Sequence, residues 1–210
     1  MKKIFSIVAL AMMCVCSFAQ EKSWEVGLRD NQFAHFNFLG ESGWLWGYEQ
    51  SLMNVKPKEQ TGRFFVGQTK EFKYFGYSYA AYAGMNYHRS FGMFGARLTA
   101  MGRWKRISGS FTFNPNYDSG YKFQGNCQID GALQLLKDQG VSFTAAYGNL
   151  PEYRNNIEYM RLGLKFASTD GKLWVKPEVC MPNVGNGSEN LRVLVSMGWR
   201  ISIDDITRIR

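Results

Sequence analysis

Residues Tyr121–Leu135 read YKFQGNCQIDGALQL. The odd positions are Tyr121, Phe123, Gly125, Cys127, Ile129, Gly131, Leu133 and Leu135. The even positions are Lys122, Gln124, Asn126, Gln128, Asp130, Ala132 and Gln134. One face is apolar or small and the other almost wholly polar, a period of two that belongs to a β-strand. Strands of ordinary domains run to about 5–6 residues, whereas this alternation holds across fifteen. A strand so long, with one greasy face, requires an extended apolar phase beside it.

The design recurs along the chain. In Phe75–Tyr87 the odd face carries Phe75, Tyr77, Tyr79, Ala81, Ala83, Met85 and Tyr87, with the rings gathered toward its ends. Amphipathic rings favour the headgroup level of a bilayer, so aromatic ends around a smaller apolar centre suit a lipid-facing strand. Phe94, Ala96, Leu98, Ala100 and Trp104 alternate with Gly95, Arg97, Thr99 and Arg103. Ile107, Phe111 and Phe113 alternate with Ser108, Ser110, Thr112 and Asn114. Val141–Tyr147 and Leu191–Ile201 repeat the scheme.

Turn signals separate these strands in alternating lengths. The longer connections are Asn54–Thr61, Pro115–Ser119, Asn149–Asn156 and Pro182–Asn190. The shorter ones are Gly40–Gly43, Thr69–Glu71, Trp104–Arg106, Lys137–Gly140 and Ser168–Gly171. Outer-membrane barrels alternate short periplasmic turns with longer outside loops, on an even number of strands. A further hairpin at Asp30–Gln32 completes the set, and the pattern predicts an all-β, antiparallel transmembrane barrel of about twelve strands. Tyr87–Ser90 is short where a long loop is expected. The strands flanking Asp30–Gln32 fall below the roughly 9–11 residues of a full span, so ten strands is the reserve count. A secreted soluble β-sandwich binding module is the alternative that alternation alone also permits.

The chain of 210 residues begins MKKIFSIVALAMMCVCSFAQ. A charged start, an apolar run from Ile4 to Val15, and small Ser17 and Ala19 at the −3 and −1 positions predict a secretory signal peptide over 1–19, cut after Ala19. Residues 20–210 then form a single barrel domain. That apolar run is too short to span a bilayer, which takes about 20 residues. Cys127 and Cys180 read as small apolar residues, although an exported protein permits a bridge between them. The leader ending SFAQ and the tyrosine- and glycine-rich alternating strands resemble small outer-membrane β-barrel proteins of Bacteroidetes-type bacteria. The resemblance implies fold and outer-membrane location only. It departs at the C-terminus, where DDITRIR replaces the aromatic residue on which many such barrels end.

Little of the sequence speaks for chemistry. Two histidines make a histidine metal cage improbable, and neither a metal motif nor a cofactor motif is evident. His88 and Ser90 form a His-x-Ser pair similar to those of the outer-membrane phospholipase A and lipid A deacylase families. The resemblance implies a lipid-ester hydrolase with Ser90 as nucleophile and His88 as base. Both families need a third, orienting group, yet no Asp, Glu, Asn or Gln lies between Ser90 and Asn114. The parity of Gly84 and Asn86 also turns His88 inward, whereas those families aim the pair at lipid. The pair is therefore read as turn residues and the protein as non-enzymatic.

The chain is basic, with 25 Lys+Arg against 17 Asp+Glu. The cations are spread over the strands, unlike a nucleic-acid-binding patch, and export argues against such a partner. Arg106 and Lys70, near turns, read first as solvated rim charge and, as the alternative, as contacts to the phosphates of outer-membrane lipid and lipopolysaccharide. Reading the polar faces as inward places Arg97, Arg103, Lys122, Arg161, Lys165, Lys172, Lys176, Arg192 and Arg200 in a lumen. Glu49, Asp130 and Glu178 are the only acids assigned there. Rings of Lys and Arg favour anions, so the sequence predicts a structural barrel or a small, weakly anion-selective channel.

Overall fold

The computed structural model describes residues 22–30, 33–40, 42–52, 61–86, 91–118, 123–136, 140–149, 158–182 and 191–203. They form β1 Ser23–Arg29, β2 Phe33–Leu39, β3 Trp44–Ser51, β4 Thr61–Glu71, β5 Phe75–Asn86 and β6 Phe91–Trp104. These continue into β7 Ile107–Asp118, β8 Gln124–Gln134, β9 Gly140–Asn149, β10 Glu158–Ala167, β11 Leu173–Pro182 and β12 Arg192–Ser202. Each strand pairs with its sequence neighbours, and β1 pairs with β12, giving a closed twelve-stranded barrel. Closure leaves no unpaired edge, which is the condition for a β structure to sit in hydrocarbon. The fold is therefore the predicted antiparallel barrel with twelve strands, and the reserve count of ten is set aside.

The doubted first hairpin belongs to the wall. β1 and β2 have 7 residues each, while β6 has 14. The turn before β2 uses Asp30 at φ 56°, a left-handed conformation that Asp tolerates better than most residues. The start of β1, the end of β12 and the short turns share one end of the barrel, hereafter the terminus end. The described turn residues there are 40, 42–43, 72–74, 105–106, 135–136 and 168–172. Two boundaries differ from the sequence reading. Thr69–Glu71 completes β4, because Lys70 and Glu71 still pair with Tyr77 and Gly76. Pro115–Asp118 lies in β7, where Pro115 faces Gly125 across the ladder. The signal-peptide segment, Lys122 and the His88–Ser90 pair lie outside the described residues.

Two differently solvated faces emerge from the register. Outward positions expose Phe64, Val66, Phe94, Leu98, Phe111, Ile129, Leu133, Phe143, Val193 and Trp199, an apolar belt that lipid can solvate. Rings cluster toward the ends of this belt. Trp24 stacks on Phe36 with centroids 4.8 Å apart and meets Trp46 edge-on at 5.5 Å. Phe94 packs against Tyr117 at the opposite end. Cys127 faces outward and Cys180 is buried on the inward face, and both are free thiols.

Candidate functional site: the barrel lumen

Among the described residues, the inward faces gather most of the buried charge. Glu49 on β3 is held from both sides: Arg63 donates through Nε to its Oε2 at 2.9 Å, and Arg29 Nη2 lies 2.5 Å from its Oε1. Asp30, only 2% exposed, accepts from Arg161 Nη1 at 2.8 Å and from the Ser196 hydroxyl at 3.2 Å. Arg161 also approaches Glu178 at 3.9 Å, and Lys176 pairs with Glu178 at 3.0 Å. Nearer the terminus end, Glu25 lies 3.4 Å from both His35 and Arg200. Desolvated charges cost several kcal/mol each unless they are paired and hydrogen-bonded, and this network supplies both conditions.

Inward aromatic rings support the cations. Arg29 lies over Phe33 at 5.0 Å, Arg63 over Tyr82 at 5.5 Å and Arg161 over Tyr159 at 4.7 Å. The Tyr159 hydroxyl donates to Gln128, whose amide donates to Asp130. Arg97 donates to Asn114, and Thr99 and Thr112 share a hydrogen bond.

Among the described residues, two cavities lie along this interior. One of about 720 Å³ opens toward the terminus end and is lined by Glu71, Arg103, Asp130, Lys165 and Lys176, among others. The other, of about 390 Å³, is lined by Glu25, Arg29, Glu49, Arg97 and Arg161, among others. Arg97, Arg103, Asp130, Arg161, Lys165, Lys176, Glu178 and Glu49 thus border cavity space. Arg192 and Arg200 share the inward face of β12 with buried Leu194 and Ser196. Lys172 sits in the turn between β10 and β11, at the rim and not in a strand wall.

The lumen holds more acids than the sequence reading assigns to it. Glu25, Asp30 and Glu71 also line the cavities, so Glu49, Asp130 and Glu178 are not alone. Arg29 and Arg63 join the inward bases. Glu25 and Arg29 follow from strict alternation in SWEVGLR, where Trp24, Val26 and Leu28 take the outer face. Arg63 is obscured by Phe64-Phe65, two adjacent rings that point to opposite faces of β4. Asp30 carries no periodic signal, because it leaves the turn to reach Arg161 across the barrel end. Bases still outnumber acids on the described inward faces, and Arg103, Lys165 and Arg192 have no carboxylate within ion-pair distance there.

No protein-family profile matches the sequence, and no curated protein matches it. Solved structures do. A KdgM porin in complex with disordered oligogalacturonate superposes with a TM-score of 0.57 at 12% identity, covering 86% of this chain and 98% of that one. A second KdgM porin structure gives 0.56 at 11% identity, over 88% and 99%. The fold is that of outer-membrane porins. At this identity the likeness concerns the barrel, and the charges of the lumen must be read from this chain itself.

Proposed function

We propose that the chain is a non-enzymatic outer-membrane channel that is narrow, partly hydrated and weakly selective for anions. The observation that carries this reading is the surplus of inward cations bordering cavity space, with Arg103 and Lys165 left without a carboxylate partner among the described residues. An uncompensated buried charge is too costly to keep dry, so such groups hold water or mobile anions. A porin of the same fold was solved in complex with disordered oligogalacturonate, which supports a lumen that admits solutes. The remainder of the inward charge is mutually neutralised and narrows the passage.

The exported leader over 1–19, the resemblance to Bacteroidetes-type barrels and the apolar belt agree with this location. Outer-membrane lipid and lipopolysaccharide are the surroundings, with Lys70 and Arg106 at turn level. A lipid-ester hydrolase would rest on His88 and Ser90 alone, which lie outside the described residues. The deciding experiment is a reversal potential, measured for the refolded protein in a planar bilayer under a salt gradient. A modest anion preference is expected. A cation preference would refute this assignment of the lumen, and silence would leave a structural barrel.

A further inference from the structure

The two lumen cavities meet on one wall at β11. Their linings share only Trp174 and Lys176, both on that strand. On the far wall the boundary falls between Thr99 and Met101 on β6, Thr112 and Ser110 on β7, and Gln128 and Asp130 on β8. The indole and Lys176 therefore border both cavities, and along β11 the terminus-end cavity extends past them as far as Glu178.

The sequence prepares a seat for it. Trp174 is paired with Gly198 on β12, and a Cβ at Gly198 would come within 2.7 Å of the indole ring. Any larger residue would drive the ring off the wall. Gly198 is in turn opposite Gly27 on β1, where a Cβ would strike the His35 imidazole at 2.5 Å. Two bare backbone positions thus carry two inward rings at one level of the barrel. The Lys165 ammonium lies 5.3 Å from the Trp174 ring centroid, a cation–π distance. On the other side Lys176 is anchored by Glu178 at 3.0 Å.

We infer that Trp174, seated on Gly198 and steadied by Lys165, is the constriction that divides the lumen and limits conduction. This rests on the channel reading above. A solute crossing the barrel passes the edge of the indole, with the ammonium of Lys165 beside it. The ring supplies the steric limit, and Lys165, with no carboxylate at ion-pair distance among the described residues, supplies a positive charge beside it. Neutral parts of an anionic solute can slide on the ring while its charge is held by the ammonium.

Three single substitutions test the inference in planar bilayers, each protein first shown to be folded by faster gel migration before heating. Trp174→Ala joins the cavities and is expected to raise single-channel conductance several-fold. Gly198→Ala unseats the ring into the lumen and is expected to lower it. Phe65→Ala is the control. Phe65 also lies over a glycine, with a Cβ at Gly47 meeting it at 2.5 Å, but it lines only the cavity farther from the terminus end. It is expected to leave conductance nearly unchanged. Equal conductance of wild type and Trp174→Ala would overturn the constriction while leaving the channel intact. A silent wild type with a conducting Trp174→Ala would support a lumen closed by this ring. Silence of both, in folded protein, would overturn the channel reading and the constriction with it.

Discussion

The wall from β5 to β8 and the wall around the β1–β12 joint solve the same problem differently. In the first, strands of 11 to 14 residues turn mainly small and neutral groups inward, such as Ser78, Ala80, Thr99, Ser110 and Thr112. Neutral hydrogen bonds such as Thr99 with Thr112 at 3.1 Å join its inward groups. In the second, β1 and β2 have 7 residues each, and the inward face is densely charged. β1 and β12 are also the one neighbouring pair that no hairpin connects. Ion pairs cross that joint: Arg200 reaches Glu25, while Asp30 takes both Ser196 and Arg161. Charge is concentrated where the ladder is short and the chain is discontinuous. Long strands joined by tight turns have less need of it.

The largest loss is expected at Arg161. Arg161→Ala strips Asp30 of the guanidinium that neutralises it and leaves Glu178 to Lys176. Removing one partner of a buried pair costs about 3–5 kcal/mol, and a loss of that order is expected in urea titrations of the detergent-folded barrel. Thr112→Val, on the opposite wall, removes a neutral hydrogen bond and should cost about 1 kcal/mol. Equal losses at the two positions would mean that the charges do not secure the joint.

Glu49→Gln is expected to cost less within the same charged wall. The amide would retain one acceptor oxygen but not the carboxylate that holds Arg29 at 2.5 Å and Arg63 at 2.8 Å. Both guanidiniums also rest on rings, which limits the damage. A hydrogen bond to a charged group contributes about 1.5–3 kcal/mol, so a loss of about 2 kcal/mol is expected on that scale, smaller than at Arg161. A loss as large as that of Arg161→Ala would show that the β3–β4 clamp, more than the joint, holds the lumen together.

How far the molecule can be read from its sequence also differs between the walls. The long strands alternate without interruption, so Phe75–Asn86 and Gln124–Gln134 reveal both their faces and their span. The charged wall is harder. Phe33 shares the parity of His35 and Asn37 and is buried inward beneath Arg29, where a ring under a guanidinium satisfies the lumen as well as lipid would, so its composition alone does not give its face. Asp30 has the composition of a turn, and its ionic role arises only when closure brings β10 near β1. The division of the lumen at Trp174 is of the same kind. Its inward parity can be counted, but the meeting of two cavities at that level cannot.

The smallest effect lies at the terminus end, in the turn from β10 to β11. Asp170 accepts from the Ser168 hydroxyl and from the backbone N–H of Lys172 at 3.0 Å. The Ser168 oxygen in turn accepts from the Leu173 N–H at 3.0 Å, and Gly171 takes the positive φ of 69° that the turn requires. Hydrogen bonding, first from Ser168 and then from the Lys172 backbone, holds the carboxyl below its ordinary value of 3.8. A depressed carboxyl stabilises the fold fully above the ordinary carboxylate range and loses that contribution as pH falls through its lowered value. Asp170→Asn removes the titration while keeping an acceptor. Wild type should therefore hold a small advantage in urea midpoint over Asp170→Asn at neutral pH, and the gap should close in acid. A gap that persists unchanged in acid would assign the difference to amide geometry and remove the carboxylate from the account. Because the group is fully exposed, neither result should approach the losses at Arg161 or Glu49, where the same kind of charge is shut away from water.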